Sequence, residues 1–143
     1  MRMRCLSIRQ PYAWLVLYGR KNIENRKWRT NFRGEFFIHA AKTMTSVDYS
    51  RAVNFARHVS PLVVVPPEHE LPRGGIVGSA RLVDVIPPCV GKVCQHPWHI
   101  PEQYGFVLVD VNPLPFCPLA GSLNFFDPRK FGFDFDAMFP RKA

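Results

Sequence analysis

The first sixty residues of this chain hold only three acids, Glu24, Glu35 and Asp48, against twelve lysines and arginines. That shortage leaves a net charge of +9 on the first sixty residues and −1 on the remainder. Generic solubility charge needs no such asymmetry, so a polyanionic partner is the expectation. No apolar run approaches the roughly 20 residues of a membrane span, which argues against a membrane partner. The basic start, Met1-Arg2-Met3-Arg4-Cys5, is followed by no long apolar block and no small-residue cleavage site. An intracellular, cytoplasmic protein is expected. Also missing are a Gly-rich phosphate loop, an H-E-x-x-H helix and a G-x-S-x-G elbow, the signatures of three common catalytic architectures.

Cysteine is scarce. Cys5, Cys89, Cys94 and Cys117 are scattered, and without a secretion signal they read as reduced thiols rather than a disulfide framework. The stretch 87–103 is loop-like yet holds Cys89, Cys94, His96 and His99. Its C-x4-C-x-H-x2-H spacing is slightly off the usual zinc pairings. An exposed loop of mixed composition is therefore expected, with no cofactor, and zinc at these four residues is the alternative.

What the chain does contain is a concentrated basic stretch, Gly19-Arg20-Lys21-Asn22-Ile23-Glu24-Asn25-Arg26-Lys27-Trp28. Read as a strand from Asn22, it puts Glu24, Arg26 and Trp28 on one face and Ile23, Asn25 and Lys27 on the other. Lys21 stands at the turn before it. Between Arg20 and Arg33 one acid lies among six bases, with an aromatic on the acid's face. A run of solvated surface charges is the plainer reading; a binding site is the favoured one. Lys21 and Arg26 would hold phosphate or carbonyl oxygens, Glu24 would accept from a base amino group, and Trp28 would stack. In an enzyme, Lys21 would be a general base, with burial and Arg26 lowering its pKa and Glu24 raising it. Sequence leaves that sign open.

The rest of the chain supplies a barrel. Cys5–Arg9 is a short strand, and Pro11 opens an apolar helix at its first position. Gly19 is placed past the helix end, where positive φ is needed. Phe36–Ala40 is a second strand; its His39 is either a satisfied core histidine or a pocket residue. Thr45-Ser46-Val47-Asp48 resembles a capping box ahead of a helix with Tyr49, Ala52, Val53 and Ala56 on one face. A brief strand is placed at 62–65 inside a proline-rich excursion. Gly74–Ile86 and Tyr104–Val111 are core strands, Leu114–Leu119 an edge piece, and Phe131, Phe133 and Phe135 a last strand or a tail over the core. The tally is a single α+β domain over residues 1–143. It is a small mixed or antiparallel β-barrel with two or three flanking helices.

Three segments carry a family resemblance. They are Cys5-Leu6-Ser7-Ile8-Arg9-Gln10-Pro11-Tyr12-Ala13, then Gly19-x-Lys21-x-x-Glu24-x-Arg26-x-Trp28, then Arg33-Gly34 with Ile38-His39-Ala40. Together with Gly75-Ile76-Val77-Gly78-Ser79-Ala80, Tyr104-Gly105-Phe106-Val107 and Leu119-Ala120-Gly121, they closely resemble the activating signal cointegrator homology (ASCH) domain family over about residues 4 to 126. The resemblance implies a PUA-like β-barrel and an RNA- or nucleotide-related role. It implies a cleft between the first helix and the barrel, lined by Lys21, Glu24 and Arg26 with Gln10 and Trp28 nearby; Arg33 and His39 complete the candidate binding set. Some relatives hydrolyse the amide of N4-acetylcytidine with a Lys, Thr and Glu set. Here Lys21 matches the lysine, Glu24 stands at the threonine position, and no carboxylate stands at Gly78 or Ser79. Other relatives are metal-dependent ribonucleases or nucleic-acid binders.

Two principal functions follow. The first is binding of RNA, single-stranded nucleic acid or a modified nucleotide. The second is a hydrolase on RNA or modified nucleosides, with Lys21 and Glu24 catalytic. A basic face for an acidic protein comes third.

Overall fold

The computed structural model describes residues 3–91 and 94–139; Met1 and Arg2 of the basic N-terminus lie outside them. In chain order the elements are β1 (Cys5–Ile8), α1 (Tyr12–Tyr18), β2 (Ile23–Arg26), β3 (Gly34–Ala40), α2 (Ser46–Val59), β4 (Gly75–Ile86), β5 (Tyr104–Pro118), β6 (Phe125–Phe126) and α3 (Phe135–Met138). One six-stranded sheet runs β2-β5-β4-β3-β1-β6. β1 and β3 pair in parallel, and every other neighbouring pair is antiparallel. The result is a curled half-barrel with three helices, the mixed PUA-like α+β architecture. Among the described residues no helix is long and apolar enough to cross a membrane.

The curl comes from the sheet's centre. β4 shifts register against β5 at three places and against β3 once, and each such irregularity bends and twists the strand that carries it. Leu6, Ile8, Phe36, Ile38, Ala80, Leu82, Phe106 and Leu108 fill the concave side, all nearly inaccessible to solvent. α1 adds Ala13 and Val16 to this cluster. Gly78 is required where α1 meets the sheet: a Cβ there would stand 2.4 Å from Leu17 Cδ2 and 2.7 Å from the Asn112 carbonyl oxygen.

Side chains fix the helix starts. The Gln10 amide oxygen accepts from the Trp14 N–H at 2.9 Å, and its nitrogen donates to the Pro72 carbonyl at 2.9 Å. Thr45 and Asp48 form the reciprocal capping box of α2.

Several boundaries differ from expectation. Pro11 is the N-cap of α1 rather than its first helical residue. Gly19 has φ −103 and is needed for space: its Cβ would meet Leu15 Cδ2 at 2.8 Å. Arg20 takes the positive φ instead, at 60°. Residues 62–65 form no strand; Val63 and Val65 pack instead against the cluster of Leu15, Ile23, Ala56 and Trp98. Leu114 is inside β5, not in a separate edge piece. Beyond Val107 β5 loses its β2 neighbour, so Pro113 and Pro115 need no partner on that side. Phe131, Phe133 and Phe135 form no strand. Phe131 ends a 3-10 turn, Phe135 starts α3, and Phe133 between them packs with Cys5, Ile76, Cys117 and Phe126, which is the expected tail over the core.

Candidate functional site

β2 is an edge strand, and the sheet's curl brings it round to β1. The tie is Arg26, whose Nη2 donates to the Ser7 carbonyl at 2.5 Å. Beside this seam lies a hollow of about 240 Å³ lined by Ile8, Arg9, Tyr12, Lys21, Glu24, Asn25, Arg26, Ile100 and Gln103. The three charged groups singled out from sequence thus meet in one place, between α1 and the barrel.

Lys21 is only 1% exposed. It is held there because its backbone N–H caps α1 through the Leu15 carbonyl and its neighbour Ile23 is core. The ammonium donates to the Ile23 carbonyl, lies 3.5 Å from Glu24 Oε1 and sits 5.5 Å from the centre of the Tyr12 ring. Burial lowers its pKa below the usual lysine value; Glu24 opposes the shift and Arg26 adds to it. Desolvation therefore decides the sign that the sequence leaves open.

Glu24 is 6% exposed and stands between two cations. Arg26 Nε is 3.2 Å from its Oε2, a charge contact whose geometry falls short of a hydrogen bond. That Nε is buried and has no hydrogen-bond partner among the described residues. The hollow therefore offers an acceptor (Glu24), a cation that gives up its proton more readily than usual (Lys21) and a spare N–H donor (Arg26).

The remaining expected residues are placed elsewhere. Gln10 is buried, with both ends of its amide used in capping and cross-linking. Trp28 turns into the core, edge-on to Phe106 at 5.3 Å and to Phe125 at 6.0 Å, with the Arg26 guanidinium 5.9 Å from its ring centre. Arg33 is exposed and donates to the Thr30 and Phe32 carbonyls of its own turn. His39 lines a different hollow: Ser7 Oγ is 2.9 Å from its Nδ1 and the Leu119 carbonyl 2.6 Å from its Nε2. Burial lowers its pKa.

Six lining residues lie outside the candidates read from sequence: Ile8 and Arg9 come from the end of β1 and the residue after it, and four more escape a reading by strand alternation. Tyr12 arrives from the first turn of α1. Asn25, assigned to the opposite face, reaches the hollow by gripping the wall segment: its Nδ2 donates to the Trp98 carbonyl and its Oδ1 accepts from the Ile100 N–H, both at 2.9 Å. Ile100 and Gln103 belong to that wall. Only the amide of Asn25, next to charges in a strand, hints at such a tether.

The Cys/His loop is close by. Cys89 and Cys94 are joined as a disulfide with Cα atoms 5.7 Å apart, so the expected free thiols are found only at Cys5 and Cys117, both buried. The C-x4-C loop brings the two Cα atoms within disulfide range. Ligand atoms of Cys89, Cys94 and His99 lie within 4.8 Å of one another. His96 is exposed and outside that group.

Two curated proteins align with the chain. Activating signal cointegrator 1 of Homo sapiens is 34% identical over 83 residues, 57% of this chain, and its Mus musculus counterpart 29% over 82 residues. The aligned part is 14% of either relative's length, so the likeness concerns one domain of much longer proteins. The ASCH domain model matches residues 6–116, from β1 through most of β5, and so includes the seam, the hollow and its wall. A barrel curled about the Lys21–Glu24–Arg26 group and a family match over most of its length lead to one assignment: the chain belongs to the ASCH domain family.

Proposed function

We propose that the domain binds single-stranded RNA, taking one nucleotide or modified nucleoside into the Lys21–Glu24–Arg26 hollow. The observation that carries this reading is the burial of the Lys21 ammonium at a cavity, beside a carboxylate and an Arg26 N–H that has no acceptor among the described residues. Burying such groups is costly, and perturbed ionisable groups in a cleft gather where ligands are handled. A cavity of about 240 Å³ suits a base rather than a folded partner. Glu24 accepts from an exocyclic amino group, while Lys21 and Arg26 donate to carbonyl oxygens of the base. Arg9, at the rim with its side chain 57% exposed and one Nη on Asp48 at 3.1 Å, meets a phosphate with its remaining donors. Trp28, committed to the core, does not stack; the Tyr12 ring is the aromatic surface available. ASCH membership and the +9 on the first sixty residues support an RNA-related role.

Fluorescence anisotropy with short labelled single-stranded RNA, run as a salt series, tests this. Affinity is expected to fall linearly on a log–log plot with salt, since phosphate neutralisation releases counterions. No binding at low salt, or equal affinity for a Lys21→Met variant, would refute it.

The lowered pKa of Lys21 favours one second reading, a hydrolase on N4-acylated cytidine. A neutral Lys21 amine would take a proton from water as the water oxygen adds to the acyl carbon. The C–N bond then breaks and the proton goes to the departing amino group, giving a carboxylic acid and cytidine. Chromatography after incubation with N4-acetylcytidine decides it: the reading requires product from the wild type and none from Lys21→Met. RNA cleavage is followed in the same assay, with and without divalent metal.

A further inference from the structure

The wall of the hollow, residues 98–103, is rooted in the Cys/His loop. His99 Nδ1 lies 3.8 Å from Cys89 Sγ, and His99 Nε2 lies 2.6 Å from the Gln103 carbonyl oxygen. A carbonyl can only accept, so Nε2 carries a proton, and in the neutral tautomer this selects, the Nδ1 lone pair faces the sulfur. Histidines that bind metals carry this arrangement, with the second nitrogen donating to a carbonyl that fixes tautomer and ring orientation. Room for the ring is kept by Gly105, where a Cβ would stand 3.1 Å from His99 Cδ2 and 3.2 Å from Nε2.

We infer that in the reduced protein Cys89, Cys94 and His99 bind one zinc ion, which anchors the wall of the hollow. The sulfurs of a disulfide and of a shared metal need similar placement of their Cα atoms, and 5.7 Å serves either state. Reduction by a dithiol or phosphine breaks the S–S bond with two electrons and two protons and leaves two thiols. Zinc then displaces two protons, forming two Zn–S bonds and one Zn–N bond. Two sulfurs and one imidazole are donors zinc favours, and its tetrahedral habit leaves a fourth position for water. Cys94 and His99 both line a second hollow, shared with Arg51, His58 and His96, through which water and metal have access. The zinc reaches the binding site by a short path: His99 is bonded to Gln103, and Asn25 to Trp98 and Ile100.

The full chain, reduced with a phosphine and stripped by a chelator, is titrated anaerobically with Co²⁺ and then Zn²⁺. The expected results are a thiolate-to-cobalt charge-transfer band with the visible bands of tetrahedral cobalt, saturating at one equivalent and bleached by zinc. Cys94→Ser and His99→Ala should weaken cobalt binding at least tenfold, while Cys117→Ser leaves it unchanged. Absence of the charge-transfer band in the reduced wild type would overturn the inference, as would an unaltered band in Cys94→Ser. The wild-type spectrum decides even if a variant fails to fold. No RNA is present in the titration, so its outcome is separate from the reading of the hollow.

Discussion

Arg26 on β2 donates to the Ser7 carbonyl on β1, joining strands that stand at opposite sides of the sheet order. The same guanidinium faces Glu24 in the hollow. One side chain thus holds the seam closed and lines the site. A hydrogen bond to a charged group is worth about 1.5–3 kcal/mol. Arg26→Ala is therefore expected to lose about 2 kcal/mol in urea denaturation and to weaken RNA binding in anisotropy. Unchanged stability would mean that the seam does not depend on this contact.

Lys21 is expected to titrate below the usual lysine value of 10.5. Between the lowered folded value and 10.5 the unfolded chain binds the extra proton, so the Lys21 contribution to stability rises with pH across that window. An NMR titration of the Lys21 side chain reads the midpoint directly. Glu24→Gln should lower it further, since Glu24 raises it, and Arg26→Met should move it up. RNA affinity should decline as Lys21 loses its proton. A midpoint at or above 10.5 would contradict the burial.

Trp28 separates packing from stacking. Its edge-on contacts to Phe106 and Phe125 make Trp28→Ala chiefly a stability variant, with a loss of about 3 kcal/mol. Trp28→Phe should keep most of the stability and bind RNA normally. A folded Trp28→Phe protein with binding abolished would restore the stacking role.

Gly78→Ala should destabilise the domain by about 1–3 kcal/mol, because the added methyl meets a backbone carbonyl that cannot move without disturbing β4 and β5. Thermal denaturation checks this. At Gly91, where a Cβ would meet nothing within 4 Å, the only cost is the positive φ of 63°, so a smaller loss is expected.

Cys5 is fully buried, and burial pushes its thiol up to about 12. Thiol alkylation at neutral pH should spare Cys5 in the folded protein and modify it quickly in denaturant, read by mass spectrometry. Rapid labelling of native Cys5 would mean that the β1 core opens readily.

Local rules carried far along this chain. The Thr45–Asp48 box and the apolar face with Ala52 and Ala56 set α2 where capping and periodicity put it. β4 runs Gly75–Ile86, within a residue of the apolar run that announces it. Failures occurred where a neighbour decided. Proline content splits β5 on paper, yet the chain stays paired to β4 because only its other side is free. The Phe131–Phe135 alternation leaves a strand and a tail over the core both open, and packing against Cys5 and Phe126 selects the tail.

The site divides the same way. The charges of Lys21, Glu24 and Arg26 and their spacing are properties of the sequence, and strand geometry alone puts Glu24 and Arg26 on one face. Folding decided that Lys21 would be buried, since α1, β2 and the 98–103 wall close over it from separate parts of the chain. Folding also sent Trp28 inward, His39 to another hollow and Asn25 to the wall. The reason is physical: composition and periodicity follow from neighbours along the chain, whereas desolvation depends on which distant segments exclude water from a group. The sequence determined which groups are present, and the tertiary structure determined which of them lose their water.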